Sequence, residues 1–251
     1  MTSATLASVP SECCFTGFKH TGTPSGTTTT IAGVNTYVSE PKESHSGSAK
    51  VVVFFSDVYG PLYLNNQLVQ DYFATCGFTV LGLDYFFGDP IQNHLNEEGW
   101  DRPAWMTKSR KAAGEFVPKW FEAVKEKYGP NAKYSAVGYC FGALYAVDLA
   151  TTDSLVAAAF AHPASLEESH FEKIKAPLLM SCAETDNTFP VESRRRAEDI
   201  LAQRKASYHI QVFSGVSHGF ASRGDLENPT VCWAKEESAR GVASWFKRFS
   251  V

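Results

Sequence analysis

Lys133-Tyr134-Ser135-Ala136-Val137-Gly138-Tyr139-Cys140-Phe141-Gly142-Ala143-Leu144-Tyr145-Ala146-Val147-Asp148-Leu149-Ala150 reads as strand, sharp turn and helix in one run. Its first residues are a short β-prone stretch, and the eight from Ala143 onward have helical composition. Between them, Gly138-x-Cys140-x-Gly142 has the pattern of a nucleophile elbow with cysteine at its apex. An elbow holds one side chain on strained backbone at a strand end, and glycine two positions either side lets neighbouring backbone pack close. A buried, inert cysteine in a tight turn would leave the same pattern, because free cysteine is among the most buried residue types. The pentapeptide by itself leaves both readings open.

Working outward, a thiol nucleophile needs a base to take its proton and a carboxylate to orient that base. In α/β-hydrolases they follow the nucleophile in the order acid, then histidine, each in a loop after a later strand. The apolar run at 176–182 leads into Glu184-Thr185-Asp186-Asn187, and Pro190 is expected to open the next helix. The strand expected at 208–213 feeds Gly215-Val216-Ser217-His218-Gly219. Asp186 and His218 are the acid and base this order selects. Glu184 competes with Asp186 but lies nearer the strand, with less room for its carboxylate to turn inward. Of the other histidines, His20, His45, His94 and His170 sit in polar segments and are expected to be solvated, while His209 lies within a strand. His162 stands at the end of the strand read at 155–160, the end that faces a site in such sheets, and is a candidate to line the pocket.

With these residues in place the chain resembles the dienelactone hydrolase (carboxymethylenebutenolidase) family. The resemblance rests on Gly138-Tyr139-Cys140-Phe141-Gly142, Asp186, His218-Gly219-Phe220, Phe55-Ser56-Asp57-Val58-Tyr59-Gly60 and Leu83-Asp84-Tyr85-Phe86. The opening Cys13-Cys14-Phe15-Thr16-Gly17-Phe18-Lys19-His20 is similar to fungal members. The resemblance implies an α/β-hydrolase fold, a mainly parallel central sheet flanked by helices on both faces, and a Cys-His-Asp triad. Asp57 stands where the bacterial enzyme has a glutamate that activates the thiol. Gly88 stands where that enzyme has one carboxylate-binding arginine, and Arg223 matches a second, shifted by one residue. Arg102 and Lys108 are the cations available to replace the first.

These residues predict cleavage of a small ester or lactone through a thioester at Cys140. His218 would move the proton, Asp186 would fix the ring, and the N–H groups of Phe141 and Val58 would form the oxyanion hole. A carboxylate at Asp57 would disfavour the thiolate or accept the thiol's hydrogen bond, giving a guarded thiol. Tyr59, Tyr85, Phe86 and Phe220 are pocket candidates, although aromatics in such folds are more often core. Two other classes leave part of the pattern intact: a thiol redox protein with Cys182 as a loosely placed resolving thiol, and a ligand-binding member without activity.

The composition fits this class. The chain has 251 residues, 44% hydrophobic and 20% charged, with a net charge of −4. That is ordinary for one globular α/β domain and argues against nucleic acid or an acidic membrane as main partner. Six cysteines without paired CxxC spacing give neither a disulfide framework nor a zinc site. Reduced thiols and the absence of a basic, apolar leader within residues 1–10 predict a cytoplasmic location. No cofactor or metal is expected, and oligomeric state is not legible. Strands are expected at 29–38, 50–55, 78–83 and 133–137, with a polar turn at 41–49. Helices are expected at 63–75, 109–128, 191–204 and 229–249. The stretch 89–107 reads as irregular, a candidate small lid.

Overall fold

In the run Lys50–Phe55, Val51, Val53 and Phe55 face one half of the core while Val52 and Phe54 face the other. That is what a strand buried on both sides requires, and it explains why the run is apolar throughout instead of alternating. The computed structural model describes residues 3–42 and 48–251; most of the turn read at 41–49, His45 included, lies outside the described residues. In chain order the elements are β1 (Thr5–Ala7), β2 (Thr27–Ile31), β3 (Val34–Ser39), β4 (Lys50–Phe55), α1 (Leu64–Thr75), β5 (Thr79–Leu83), α2 (Arg102–Tyr128), β6 (Lys133–Tyr139), α3 (Ala143–Ala150) and β7 (Ala157–Ala161). They continue with β8 (Leu166–Glu167), α4 (Glu168–Lys173), β9 (Leu178–Thr185), α5 (Val191–Gln203), β10 (Tyr208–Ser217), α6 (Phe220–Arg223) and α7 (Pro229–Phe249).

Eight strands form one sheet in the order β10-β9-β7-β6-β4-β5-β3-β2. The pairs from β10 to β5 are parallel, and β3 and β2 extend the sheet antiparallel. Helices α2, α3 and α5 cover one face through Val117, Trp120, Val124, Ala146 and Ile200. Helices α1 and α7 cover the other through Val69, Phe73, Val242 and Phe246. The α/β-hydrolase architecture is therefore present, with a mainly parallel sheet between two helical layers.

Three sequence expectations need correction. The strand read at 29–38 is a hairpin, because Ala32 and Gly33 turn the chain with φ of 50° and 81°. The irregular stretch read at 89–107 ends earlier, since α2 begins at Arg102. Asp101 caps that helix by accepting the Ala104 N–H at 2.9 Å, and a proline occupies its first turn. The first strand, expected at 29, is preceded by β1, which pairs antiparallel with β8.

Candidate active site

Cys140 sits at the head of β6 with φ of 49°, opening the short 3-10 turn Cys140–Gly142 that runs into α3. The two flanking glycines are forced by contact. A Cβ at Gly138 would lie 2.6 Å from the Ala143 Cα, and one at Gly142 would lie 2.6 Å from the Ser56 carbonyl. Both are well inside contact distance, so the elbow and the end of β4 can approach only without those side chains. Arg110 of α2, which the sequence did not single out, braces the turn. It donates to the Phe141 carbonyl at 2.7 Å and to Ser165 Oγ at 3.0 Å, and stacks on the Phe141 ring at 3.7 Å. The charge–ring contact and the two bonds all fix the residue next to the nucleophile candidate.

Asp186 and His218 emerge at neighbouring strand ends, after β9 and β10. His218 Nδ1 lies 2.9 and 3.0 Å from the two Asp186 oxygens and 2.9 Å from Thr188 Oγ1. Asp186 Oδ1 also accepts the N–H groups of Thr188 and Phe189 at 2.9 and 3.1 Å. Burial raises this carboxyl, but His218 and Thr188 outweigh it and hold the group below the usual carboxylate range. Burial likewise works against a proton on His218, yet hydrogen bonds to Asp186 and Cys14 prevail and the imidazole is pushed up to about 10. Glu184, the rival acid, turns outward to accept the Gly215 N–H at 2.8 Å.

On its other side, His218 Nε2 meets Cys14, whose Sγ is 3.2 Å away. Sequence reasoning treated Cys14 only as part of a resemblance, because nothing local shows that a residue 204 positions away would reach the histidine. The Cys13 side chain pulls the Cys14 thiol down, but the Cys140 sulfur beside it and burial outweigh that and push it up. Cys14, not Cys182, is thus the thiol neighbouring Cys140. Cys182 is enclosed in β9 and pushed up to about 12 by burial. All six cysteines are free thiols.

Asp57 is fully buried, but its oxygens are committed elsewhere. It accepts from the Tyr59 N–H and Asn66 Nδ2 at 3.0 Å each, from Ser222 Oγ at 2.7 Å, and from Arg223 Nη1. Among the described residues no hydrogen bond joins it to the Cys140 thiol, so the guarding contact expected from sequence is not made. Arg223 is buried against the Tyr59 ring and donates Nε to the Thr16 carbonyl at 3.1 Å, while its Nη2 has no partner. Burial disfavours its charge, but Asp57, Cys140 and Cys14 outweigh burial.

The remaining candidates divide. His162 is fully buried with φ of 36°, and its ring packs 4.9 Å from that of His218. Neither of its ring nitrogens has a partner, and burial followed by His218 and Arg223 pushes it well below the usual range. Phe220 packs on His162 and on Phe213 at 5.8 and 5.4 Å. Tyr85 is wholly buried and bonds back to the Ser56 carbonyl, and Phe86 lies between Phe141 and Trp105 at 5.0 and 5.4 Å. Tyr59 donates to the Phe15 carbonyl at 3.0 Å. Val58 follows the end of β4, in a turn fixed by the Gly60 N–H on the Asp57 carbonyl and the Ile91 N–H on its own carbonyl, each at 3.1 Å. Lys108 pairs with Asp89 at 3.2 Å, whereas Arg102 stacks on Phe15 and pairs with Glu12. His20, expected in solvent, is buried and bonds the Gly224 carbonyl at 2.9 Å.

A family model described as the dienelactone hydrolase family matches residues 34–250. "Dienlactone hydrolase 1" of Gibberella moniliformis is 37% identical over 247 residues, covering 96% of this chain and 94% of that one. "Hydrolase tropI" of Talaromyces stipitatus is 33% identical over 255 residues, covering 97% and 98%. The crystal structure of dienelactone hydrolase from Anabaena variabilis superposes with a TM-score of 0.59 at 16% identity, covering 92% of this chain and all of that one. At that identity the last comparison speaks to the fold alone.

Proposed function

The chain belongs to the dienelactone hydrolase family, and from that premise we propose that it hydrolyses a small ester or lactone through a thioester on Cys140. The observation that carries this reading is the buried Asp186–His218 pair, bonded at 2.9 Å, with Cys14 between His218 Nε2 and the strained Cys140 turn. Cys140 attacks the carbonyl carbon as its proton passes to His218, and the imidazolium so formed protonates the leaving oxygen. His218 then takes a proton from water, and the resulting hydroxide releases the acid and restores the thiol. Asp186 holds the ring in one tautomer and favours its charged form. The N–H groups of Phe141 and Val58 receive the oxyanion, an interaction whose loss costs roughly a hundredfold or more in rate.

Arg223 supplies the specificity. Its unpartnered Nη2, buried near Cys140, suits a carboxylate or other polar oxygen on the substrate. Asp57 then acts by holding that guanidinium in place instead of touching the thiol. His162 and Phe220 wall the site behind His218, and Tyr59, Tyr85 and Phe86 line it on the β4 side. The free thiols support a reducing, cytoplasmic setting.

A panel of chromogenic short-chain esters and lactones, with and without a carboxylate, tests the reading on wild type, Cys140→Ala, His218→Ala and Arg223→Gln. The two triad variants should lose about a thousandfold or more in kcat/KM. Arg223→Gln should raise KM selectively for the anionic substrates. Hydrolysis insensitive to both triad changes would remove the proposed mechanism.

A further inference from the structure

The short turn Glu12–Cys14 brings two thiols to a histidine already equipped as a metal ligand. The Cys13 Sγ, Cys14 Sγ and His218 Nε2 all lie within 4.8 Å of one another. A tetrahedral zinc centre with Zn–S near ~2.3 Å and Zn–N near ~2.0 Å sets its donor atoms roughly 3.6–3.8 Å apart. Closing the widest gap therefore needs a movement of about 1 Å, within reach of two side-chain rotations. The second shell is in place. His218 points Nε2 at the thiols because Asp186 accepts from Nδ1 at 2.9 Å, the carboxylate–histidine arrangement that fixes the ring and strengthens its donor nitrogen.

The donor set also sets the class of ion. Two thiolates and an imidazole are soft to borderline ligands, which excludes magnesium and calcium and favours zinc. Cys13 is only half-buried, so the ion can enter from solvent past it, while Cys14 forms the enclosed wall. Cys140 lies beside Cys14 but outside this three-ligand cluster, which leaves the fourth position to water. Adjacent cysteines escaped the sequence reading because it looked for paired CxxC spacing, and the third ligand lies far along the chain.

We propose that Cys13, Cys14 and His218 form an inhibitory zinc site that closes the hydrolytic centre. Each ligating cysteine gives up its thiol proton and His218 its Nε2 proton to solvent as the metal binds, with no change of oxidation state. Zinc on Nε2 removes the lone pair the base needs and ties the 12–14 turn across Cys140. The binding half of this proposal stands on the cluster geometry; the inhibitory half rests on His218 acting as the base.

The test titrates chelator-treated enzyme with zinc chloride against a chromophoric chelator, and separately with cobalt(II), which reports thiolate ligation by charge-transfer absorption. One equivalent should bind, with thiolate-to-cobalt absorption, and ester hydrolysis should fall in step with occupancy. Cys13→Ser should weaken zinc binding about tenfold or more while leaving hydrolysis in chelator unchanged. Cys140→Ala should keep the cobalt spectrum, so loss of activity in that variant does not bear on the site. Absence of stoichiometric binding, absence of thiolate absorption, or affinity unchanged in both Cys13→Ser and Cys14→Ser would overturn the site. Full hydrolysis at full occupancy would overturn its inhibitory role.

Discussion

At the scale of single residues, the elbow is held by what two positions lack. A methyl group at Gly142 would press on the end of β4 and one at Gly138 on the start of α3, both against backbone that cannot rotate away. Gly142→Ala and Gly138→Ala should each cost about 1–3 kcal/mol of stability, read as a lower urea midpoint at unchanged slope. They should also lower hydrolysis more than they lower stability, since the displaced backbone carries Cys140 and the Phe141 N–H. This part of the site was legible in the sequence because it is local: five consecutive residues encode the turn. Asp186 and His218 were legible through order and loop position. Cys14 and Arg110 were not, because their contacts are made across long stretches of chain by residues in no chemical pattern. The partners of Asp57 could not be read: Arg223 and Ser222 take one oxygen and Tyr59 N–H and Asn66 the other, in place of the thiol expected there.

At the scale of elements, residues 12–20 form a strap over the strand ends. It is tied down by the Phe18 N–H on the Arg223 carbonyl at 3.0 Å, Asn65 Nδ2 on the Phe18 carbonyl at 2.8 Å, and His20. His20 donates Nε2–H to the Gly224 carbonyl, and burial pushes its pKa below the ordinary value. In the unfolded chain the same ring takes a proton near its usual value of 6.5. The folded-state value is the lower one, so this linkage leaves stability intact above pH 6.5 and removes it as pH falls through the folded value. Thermal melts from pH 8 to 5 should show that loss, and His20→Gln, which keeps a donor, should flatten the acid limb. An identical acid limb in the variant would exclude His20. The strap was only partly legible, since His20 read as solvated and its partners, the buried asparagine at 65 and the Gly224 carbonyl, lie far along the chain. Helix α2 shows the opposite error: Asp101 and the proline at its first turn are start signals, masked by two tryptophans in an otherwise irregular stretch.

At the scale of the whole molecule, the alternation of apolar strands and amphipathic helices carried the architecture. Parallel strands need crossover connections, and helices on both faces make the central strands apolar throughout. What periodicity could not give was the antiparallel edge, where β2 and β3 turn back on a two-residue hairpin, or the pairing of β1 with β8. The sheet delivers the elbow after β6, the acid after β9 and the histidine after β10 to one end, where the strap encloses them and Cys140 has no exposed surface. No helix among the described residues is long and apolar enough to cross a membrane. The central claim is that this enclosed thiol, and not one of the cysteines that share its chamber, becomes acylated. Rapid quenching of the wild-type enzyme with a chromogenic ester, followed by peptide mass analysis, tests it directly. The account predicts one acyl group per chain, on Cys140, and none in Cys140→Ala. An acyl group on Cys13, Cys14 or a serine, or a burst that persists in Cys140→Ala, would contradict it.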